Sequence, residues 1–371
     1  MPPPRSAHQA LARLHQVAGL DLQGPQLIAP VLQALRPLVP FDAGGYVHAG
    51  SDGVLQTHLE DPGIRARVAD YFDPRILHSE RQVFHCSLRD LGHTVHLGSG
   101  PLLLEQLLKV PQQQMRRSEF FNVVLRPSGV TDWATLVLRA DGQWVGTLIL
   151  YRHAGAPAFT HQELEVLAPL QARLGRLLQP GDLDLHEAEV VATGLLIATG
   201  EGRLQWVSPD AETLMRQAFG WRWRGAADVV PAPLQDLLRR LHVPALPGQA
   251  LPQLELSNAQ GWFSLRATRM TAASGTPGAP GAPQAVALHI TRRVARGARL
   301  LSALQALGLP RRQAELAWWL ARGLPESRIA ERMGISANTV VYHRRQLYNR
   351  LGLQGRQELL ERLQGAGTSR T

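Results

Sequence analysis

The segment from Arg328 to Leu351, RIAERMGISANTVVYHRRQLYNRL, constrains this chain more than any other. Its apolar residues recur at helical spacing, and Gly334 supplies the backbone freedom that a tight turn requires. Ser336 has the side chain expected of an N-cap for a second, longer helix. The first helix has its apolar residues on one face: Ile329, Ala330 and Met333. The second helix is predicted to bury one stripe: Val340, Leu347 and Leu351.

The other faces of the second helix are largely polar and cationic. A helix that is anchored by one apolar stripe, with such groups opposite, can enter the major groove of duplex DNA. The predicted DNA contacts are Arg328, Ser336, Asn338, Thr339, Val341, Tyr342, Arg344 and Arg345. Phosphate contacts are assigned to Arg328, Arg344 and Arg345, and base-edge contacts to Asn338, Thr339, Tyr342 and Arg345. An ordinary α-hairpin has the same local pattern, so the surrounding sequence has to distinguish the two.

The residues around this segment resemble the LuxR-type helix-turn-helix domain, from about Leu309 to Leu359. The resemblance is carried by Leu309, Arg312, Glu315, Leu316, Gly323, Leu324, Ile329, Ala330, Glu331, Arg332, Ile335, Ser336, Thr339, Val340, His343, Leu347, Tyr348, Leu351, Gly352 and Arg356. It implies a four-helix domain whose third helix enters the major groove and whose fourth helix helps two domains pair. The implied partners are therefore double-stranded DNA and a second copy of the chain.

Several positions depart from the family pattern. The usual Thr-Pro at the start of the first helix is Pro310-Arg311, and the following Glu is Gln313. The Ser that usually caps the second helix is Pro325, a residue suited to a first helical position. The Lys expected after Val340 is Val341, which removes a phosphate contact and lowers affinity more than specificity. Three arginines can compensate for that loss: Arg328, Arg344 and Arg345.

The positive charge of the chain is concentrated in the same region. The 371 residues carry a formal net charge of +9, and residues 292–371 contain 15 Arg, no Lys, no Asp and 5 Glu. The basic surplus therefore lies entirely in this part of the chain, as expected of a phosphate-binding surface. A helix bound to a membrane surface would instead need a wide apolar face with aromatic anchors beside the arginines.

Residues 1–180 are predicted to form one α+β domain. The predicted helices are 7–18, 25–38 and 161–178, and the predicted strands are 45–49, 54–59, 135–139 and 144–151. Turns at Ser51-Asp52-Gly53 and Asp141-Gly142 join the strands in pairs. Thr160 is a plausible cap of the last helix, whose apolar face is leucine-rich. This order of elements, and above all the stretch 145–148 followed by 159–178, is similar to a GAF domain.

Residues 185–292 are predicted to form a second α+β domain. Strands at 194–197 and 204–207, followed by a helix at 210–218, resemble the opening of a PAS domain. Two further strands, 262–270 and 285–290, flank a Gly/Pro-rich insertion within a hairpin. Residues 293–307 are predicted to be a linker helix, and residues 308–371 the DNA-binding domain. The leucines of the linker helix form either a pairing stripe between subunits or part of the chain's own core: Leu300, Leu301, Leu304 and Leu307.

A cluster of histidines around the single cysteine is the one candidate metal or haem site: His78, His85, Cys86, His93 and His96. Its spacing matches no structural zinc pattern, and a lone Cys cannot form a paired knuckle. Solvated or hydrogen-bonded histidines are the favoured interpretation, and we expect no metal and no cofactor. Attachment of a tetrapyrrole to Cys86 is disfavoured because Ser87, and not a His, follows it. The single cysteine also fits a reducing cytosol.

Aromatic residues upstream of the linker helix line either a ligand cavity or a core. The two sets are Trp206, Trp221, Trp223 and Trp262 in the second domain, and Phe120, Phe121 and Trp133 in the first. Packing in a core is the favoured interpretation. No catalytic motif is present, and the chain lacks the acids and lysine of a receiver module. We therefore expect a protein that is not an enzyme.

These patterns predict an α+β multidomain protein, with GAF-like and PAS-like sensor domains followed by an all-α helix-turn-helix domain. The predicted function is sequence-specific regulation of transcription, in response to a small molecule or a protein partner. We expect a cytoplasmic protein without a membrane segment, because the N-terminus lacks the apolar core of a signal peptide and no run approaches the ~18 apolar residues that span a bilayer. The resemblance implies that the protein is a homodimer. Two alternatives remain open: an interaction protein whose helix-turn-helix no longer binds DNA, as Val341 suggests, and a sensor enzyme with a DNA-binding tail.

Overall fold

The computed structural model describes residues 23–51, 53–87, 90, 100–181, 188–225, 229–241, 252–270 and 285–366. The chain divides into two compact units. The sheet unit comprises Phe41–Gln179 and Ala188–Val294, and the helical unit comprises Met1–Pro40, Pro180–Glu187 and Ala295–Thr371. Helix α1, Ile28–Leu35, belongs to the helical unit and confirms the predicted helix at 25–38. The predicted helix at 7–18 lies outside the described residues.

The first half of the sheet unit is built on a five-stranded antiparallel sheet. Its strands are β1 Ala43–Ala49, β2 Leu55–Leu59, β3 Leu102–Leu103, β4 Val130–Ala140 and β5 Gln143–His153, in the order β2-β1-β5-β4-β3. Asp141 and Gly142 have φ values of 50° and 76° in the turn between β4 and β5. Asp-Gly favours such a turn because both positions need positive φ. Both predicted strand pairs are confirmed, and β4 and β5 are longer than predicted.

Short helices accompany this sheet. They are α2 Pro62–Ala66, α3 Val68–Tyr71, α4 Pro74–Val83, α5 Leu104–Leu107 and α6 Gln112–Met115, followed by a π-helical turn, Phe121–Leu125. The closing segment, predicted as one helix over 161–178, is instead α7 His161–Leu167 and α8 Gln171–Leu178. Pro169 causes the break because it has no backbone N–H. Thr160 caps α7 as predicted, and its side chain accepts a hydrogen bond from the backbone N–H of Glu163.

The second half of the sheet unit repeats the same strand order on a separate sheet. Its strands are β6 Ala188–Thr199, β7 Leu204–Val207, β8 Gln253–Asn258, β9 Gly261–Met270 and β10 Ala285–Ala295, in the order β7-β6-β10-β9-β8. Helices α9 Pro209–Phe219 and α10 Ala232–Leu241 pack on it. Ser208 caps α9, which confirms the predicted strand–turn–strand–helix opening. Met270 stands opposite Ala285, so β9 and β10 pair as the predicted hairpin, and the Gly/Pro-rich segment between them lies outside the described residues.

The helical unit ends in five helices: α11 Arg296–Ala306, α12 Arg311–Ala321, α13 Glu326–Met333, α14 Ala337–Leu351 and α15 Arg356–Ala366. Helix α11 contacts α12 and α15. Leu301 and Leu304 are buried, and Leu300 and Leu307 are half-buried. The predicted leucine stripe therefore packs at least partly on the chain's own helices. Among the described residues, no helix combines the length and the apolar character needed to cross a membrane.

The buried side chain of His48 in the first sheet should make the stability of the fold depend on pH. His48 on β1 is only 1% exposed, and its ring stacks on Tyr46 with the ring centroids 5.1 Å apart. Burial lowers the pKa of His48 to about 4, from an ordinary value of 6.5. Because the unfolded chain binds this proton at higher pH than the folded chain does, the contribution of His48 to stability is complete above pH 6.5. It is lost as the pH falls through about 4.

We expect the pH dependence of unfolding to differ between the native chain and His48→Gln. Unfolding in urea gives the free energy of unfolding at each pH. Between neutral pH and about pH 4, the native chain should lose about 3 kcal/mol more than the variant does. Identical pH profiles for the two proteins would show that His48 does not carry this dependence.

Candidate nucleic-acid interface

The turn between α13 and α14 has the predicted form. Gly334 adopts a left-handed conformation with φ 61°, and the N–H of Ile335 donates to the carbonyl of Ala330 at 3.0 Å. Ser336 then caps α14, because its Oγ accepts a hydrogen bond from the N–H of Thr339 at 3.2 Å. These contacts use the backbone groups that the end of α13 and the start of α14 leave without helical partners. They set the direction in which α14 leaves the turn.

Helix α14 is anchored through one side. Val340 and Leu347 are 0% exposed, and α14 contacts both α12 and α13. Leu351, predicted in the same stripe, is only half-buried because the helix ends there, before Gly352. The predicted apolar face of α13 is confirmed, since all three of its residues are buried: Ile329, Ala330 and Met333. The long helix is thus fixed on its neighbours by a narrow apolar contact.

The opposite side of α14 is exposed and polar. Asn338, Tyr342 and Arg345 are exposed, and Tyr342 has an exposed fraction of 57%. At about 100° per residue these positions fall within one narrow arc, opposite Val340 and Leu347. Asn349 lies on the same arc and is also exposed. The sequence analysis missed Asn349, although the spacing 338, 342, 345, 349 is a helical repeat.

The other predicted contacts lie beside this arc. Thr339 is half-exposed, and its Oγ1 lies 2.8 Å from the Oγ of Ser336, which is exposed at the start of the helix. Val341 is half-buried on the flank of the arc. Arg328 is exposed on α13, where its Nη1 lies 2.9 Å from Glu331 Oε2. The structure therefore brings the α14 residues together and places Arg328 on the neighbouring helix.

The two adjacent arginines of α14 have different surroundings. Arg344 is half-buried and forms an ion pair with Glu326, in the first turn of α13. Arg345 is exposed, and no ion pair joins it to another residue in the described part of the chain. Arg344 thus links α14 to α13, whereas the charge of Arg345 is directed towards solvent. If Arg344 contacts a DNA phosphate, as predicted, it must do so while its side chain is also paired with Glu326.

Pro325 occupies a different position from the predicted one. It stands at the N-cap of α13, one residue before the first helical position, and it forms no side-chain cap. Glu326 is the first helical residue. An acidic side chain in the first turn is favourable because the N-terminus of a helix carries a partial positive charge. Glu326 therefore compensates in part for the missing Ser cap.

The remaining candidate residues of the sequence lie elsewhere. In the part of the chain that the structure describes, no three potential metal ligands lie together. The Nε2 atom of His78 forms a hydrogen bond with the Nε2 atom of Gln82, at 3.0 Å. His93 and His96 lie outside the described residues. Cys86 is half-buried and lines a cavity in the first half of the sheet unit.

The predicted aromatic sets are divided between core, cavity and surface. Phe120 and Trp133 line the same cavity as Cys86. In the second half of the sheet unit, Trp223 is part of the core, whereas Trp206 is 64% exposed. Trp221 stacks on Phe72 of the first half. The favoured core interpretation therefore fits Trp223 and the whole first-domain set, Phe120, Phe121 and Trp133, and two of these also line a cavity within that core.

Comparison with known proteins assigns the C-terminal helices. Residues 308–363 match the family described as bacterial regulatory proteins, luxR family. These residues contain α12, α13, α14 and most of α15, so the predicted resemblance is confirmed. The chain thus carries a DNA-binding region of the kind found in transcriptional regulators. No curated protein matches the chain.

Solved structures show only weak likeness over larger parts of the chain. The Vibrio cholerae VqmA dimer without target DNA is 14% identical, with a TM-score of 0.18, over 48% of this chain and 85% of that chain. The E. coli DhaR(N)–DhaL complex is 11% identical, with a TM-score of 0.22, over 76% of this chain and 87% of that chain. The sensor region of a sensor histidine kinase is 16% identical, with a TM-score of 0.19, over 79% of this chain and 94% of that chain.

Proposed function

We propose that this protein is a sequence-specific DNA-binding regulator of transcription, whose two upstream domains respond to a small molecule or a protein partner. The observation that carries this proposal is the polar face of α14, which stands exposed opposite buried Val340 and Leu347. A helix anchored in this way can insert its free face into the major groove. The luxR-family match of residues 308–363 supports the same function.

Each residue of the interface has a proposed role. Asn338 and Tyr342 contact base edges, and Arg345 contacts a base edge or the adjacent phosphate. Thr339, predicted from the sequence to reach a base edge, lies beside the exposed arc and against Ser336. We therefore assign both residues to a DNA phosphate near the N-terminus of α14, where the N–H groups favour an anion. Arg328 and Arg344 contact phosphates, and Val341 offers an apolar contact in place of a cation. Asn349 extends the face by one helical turn.

The upstream organisation is proposed from the two sheets. Both have the same order of strands, in which the first and last strands of each sheet lie side by side at its centre. We assign residues 1–180 to a GAF-like domain, 185–292 to a PAS-like domain, 293–307 to a linker helix and 308–371 to the DNA-binding domain. Two chains would bind an inverted repeat with half-sites about one helical turn apart. An effector would act by favouring one arrangement of the subunits.

Retention of genomic DNA fragments by the full chain tests the proposed function. We expect a subset of fragments to be retained at about 50 mM salt and most of the affinity to be lost by about 200 mM, because phosphate contacts release counterions. A chain that retains no fragment at low salt would instead be an interaction protein. Val341, in the position of the usual Lys, is the observation that favours this second candidate.

Arg344 and Glu326 provide a matched pair of variants. If Arg344 contacts a phosphate, Arg344→Ala should reduce the dependence of log affinity on log salt by about 1. Glu326→Gln removes a negative charge beside Arg344 and should strengthen DNA binding with the salt dependence kept. Fluorescence anisotropy with a labelled duplex measures both effects. Equal weakening by the two variants would show that the ion pair positions α14 and that Arg344 contacts no phosphate.

A further inference from the structure

The first half of the sheet unit contains a cavity of about 90 Å³ between its strands and the helices that follow β2. Val47 and Ile149 form part of the wall on the sheet side. Phe72 and Val124 form part of the wall on the helical side. A largely apolar cavity binds water poorly and can accommodate a small apolar molecule.

The wall is not wholly apolar, because Thr57 and Thr135 also line it, and it contains one buried polar pair. The hydroxyl of Tyr71 donates to both carboxyl oxygens of Glu80, at 3.1 and 3.2 Å, and Glu80 is only 4% exposed. Because that hydroxyl hydrogen is used, the pair presents mainly acceptor oxygens to the cavity. A ligand with a hydrogen-bond donor matches these oxygens. A ligand with its own carboxylate does not, since a buried anion without a partner is strongly disfavoured.

The volume limits the size of the ligand. A cavity of about 150 Å³ accommodates benzene. A space of about 90 Å³ therefore accommodates about four non-hydrogen atoms before the wall has to move. A slightly larger molecule would displace a side chain of the wall.

Phe72 connects this wall to the second half of the sheet unit. Its ring lines the cavity and also stacks on Trp221, with the ring centroids 4.2 Å apart and the planes at 16°. Trp221 lies in the turn Gly220–Arg222, directly after α9 of the second domain. A displacement of Phe72 by a ligand therefore changes the packing of a residue in the other domain.

We propose that this cavity binds a small, largely apolar molecule with one hydroxyl or amino group, and that the Phe72–Trp221 stack transmits its occupancy to the second domain. The proposal rests on the proposed function in one respect, because it makes the first domain the sensor of the regulator. The binding site itself can be tested without DNA, so that its failure and a failure of DNA binding are separate results.

Ligand-observed NMR with the full chain tests the site, with isobutanol as the probe and isobutyrate as its anionic counterpart. We expect millimolar binding of isobutanol, which is within the limit for a ligand of this size, and binding of isobutyrate about tenfold weaker or absent. Val124→Phe should abolish isobutanol binding by filling the cavity. Val47→Leu adds a single methylene from the opposite wall and should weaken binding even if Val124→Phe does not fold. Equal binding of both probes, or isobutanol binding unchanged in Val47→Leu, would overturn the site.

Tryptophan fluorescence tests the transmission. Isobutanol should change the emission of the native chain, and Trp221→Phe should remove part of this change. Trp206→Phe is the control, because Trp206 is exposed and belongs to the same domain. Trp133 lines the cavity and accounts for the signal that persists in Trp221→Phe. If Trp221→Phe and Trp206→Phe leave the same ligand-induced change, the Phe72–Trp221 stack does not report occupancy.

Discussion

Arg345→Glu is expected to lower the affinity of the full chain for a specific duplex by about 100-fold or more. Loss of a well-placed arginine contact to a base costs about 1–3 kcal/mol, which corresponds to about fivefold to 150-fold in affinity. The glutamate adds repulsion from the phosphates. Arg345 is well suited to this test because it is exposed and forms no ion pair with another described residue, so its removal leaves no unpaired carboxylate behind.

Arg176→Glu is the matched control for Arg345→Glu. Arg176 is exposed on α8 in the sheet unit, and its reversal changes the net charge of the chain by the same amount. Its effect on affinity should remain within about threefold, because Arg176 is not part of the proposed DNA-binding face. Similar losses in both variants would mean that overall charge, and not the α14 face, determines DNA binding.

Gly175→Ala is expected to have the largest effect on folding. A Cβ at this position of α8 would lie only 2.1 Å from the backbone carbonyl oxygen of Arg139 on β4. Since a backbone atom cannot rotate away as a side chain can, helix and strand would have to separate. We expect a loss of about 4 kcal/mol or more in the free energy of unfolding, or no folded protein.

Gly100→Ala provides the control for Gly175→Ala. A Cβ added at Gly100 meets nothing within 4 Å. Its effect on unfolding in urea should therefore remain within about 0.5 kcal/mol. A Gly175→Ala protein as stable as Gly100→Ala would contradict the close approach of α8 to β4.

The helix-turn-helix was predictable because its signals are local. Gly334, Ser336 and the periodic apolar positions each act within one or two turns of helix, so the two helices and their turn follow from the sequence. The differences are at helix ends: Pro325 lies one residue before the first helical position of α13, and Leu351 is too near the end of α14 to be buried. Pro169 was a visible signal for the break between α7 and α8 that the leucine pattern obscured.

The long-range features were not predictable in this way. The strand positions could be inferred from alternation and turns, whereas the shared order of the two sheets depends on pairing between distant segments. The ion pair of Arg344 with Glu326 joins residues 18 positions apart on different helices. The cavity depends on how strands and helices pack, and Phe72 and Trp221 are far apart in sequence. A single sequence contains no local signal for such contacts.

Selection of bound sequences from a random duplex library tests the central claim most directly. The full chain and Asn338→Ala are each used to enrich the library, and the retained duplexes are sequenced. We predict that the native chain enriches a defined motif and that Asn338→Ala loses its preference at one position in each half-site, at a cost of about 1–3 kcal/mol. No enrichment by the native chain, or identical motifs for both proteins, would contradict the claim that the exposed face of α14 reads DNA.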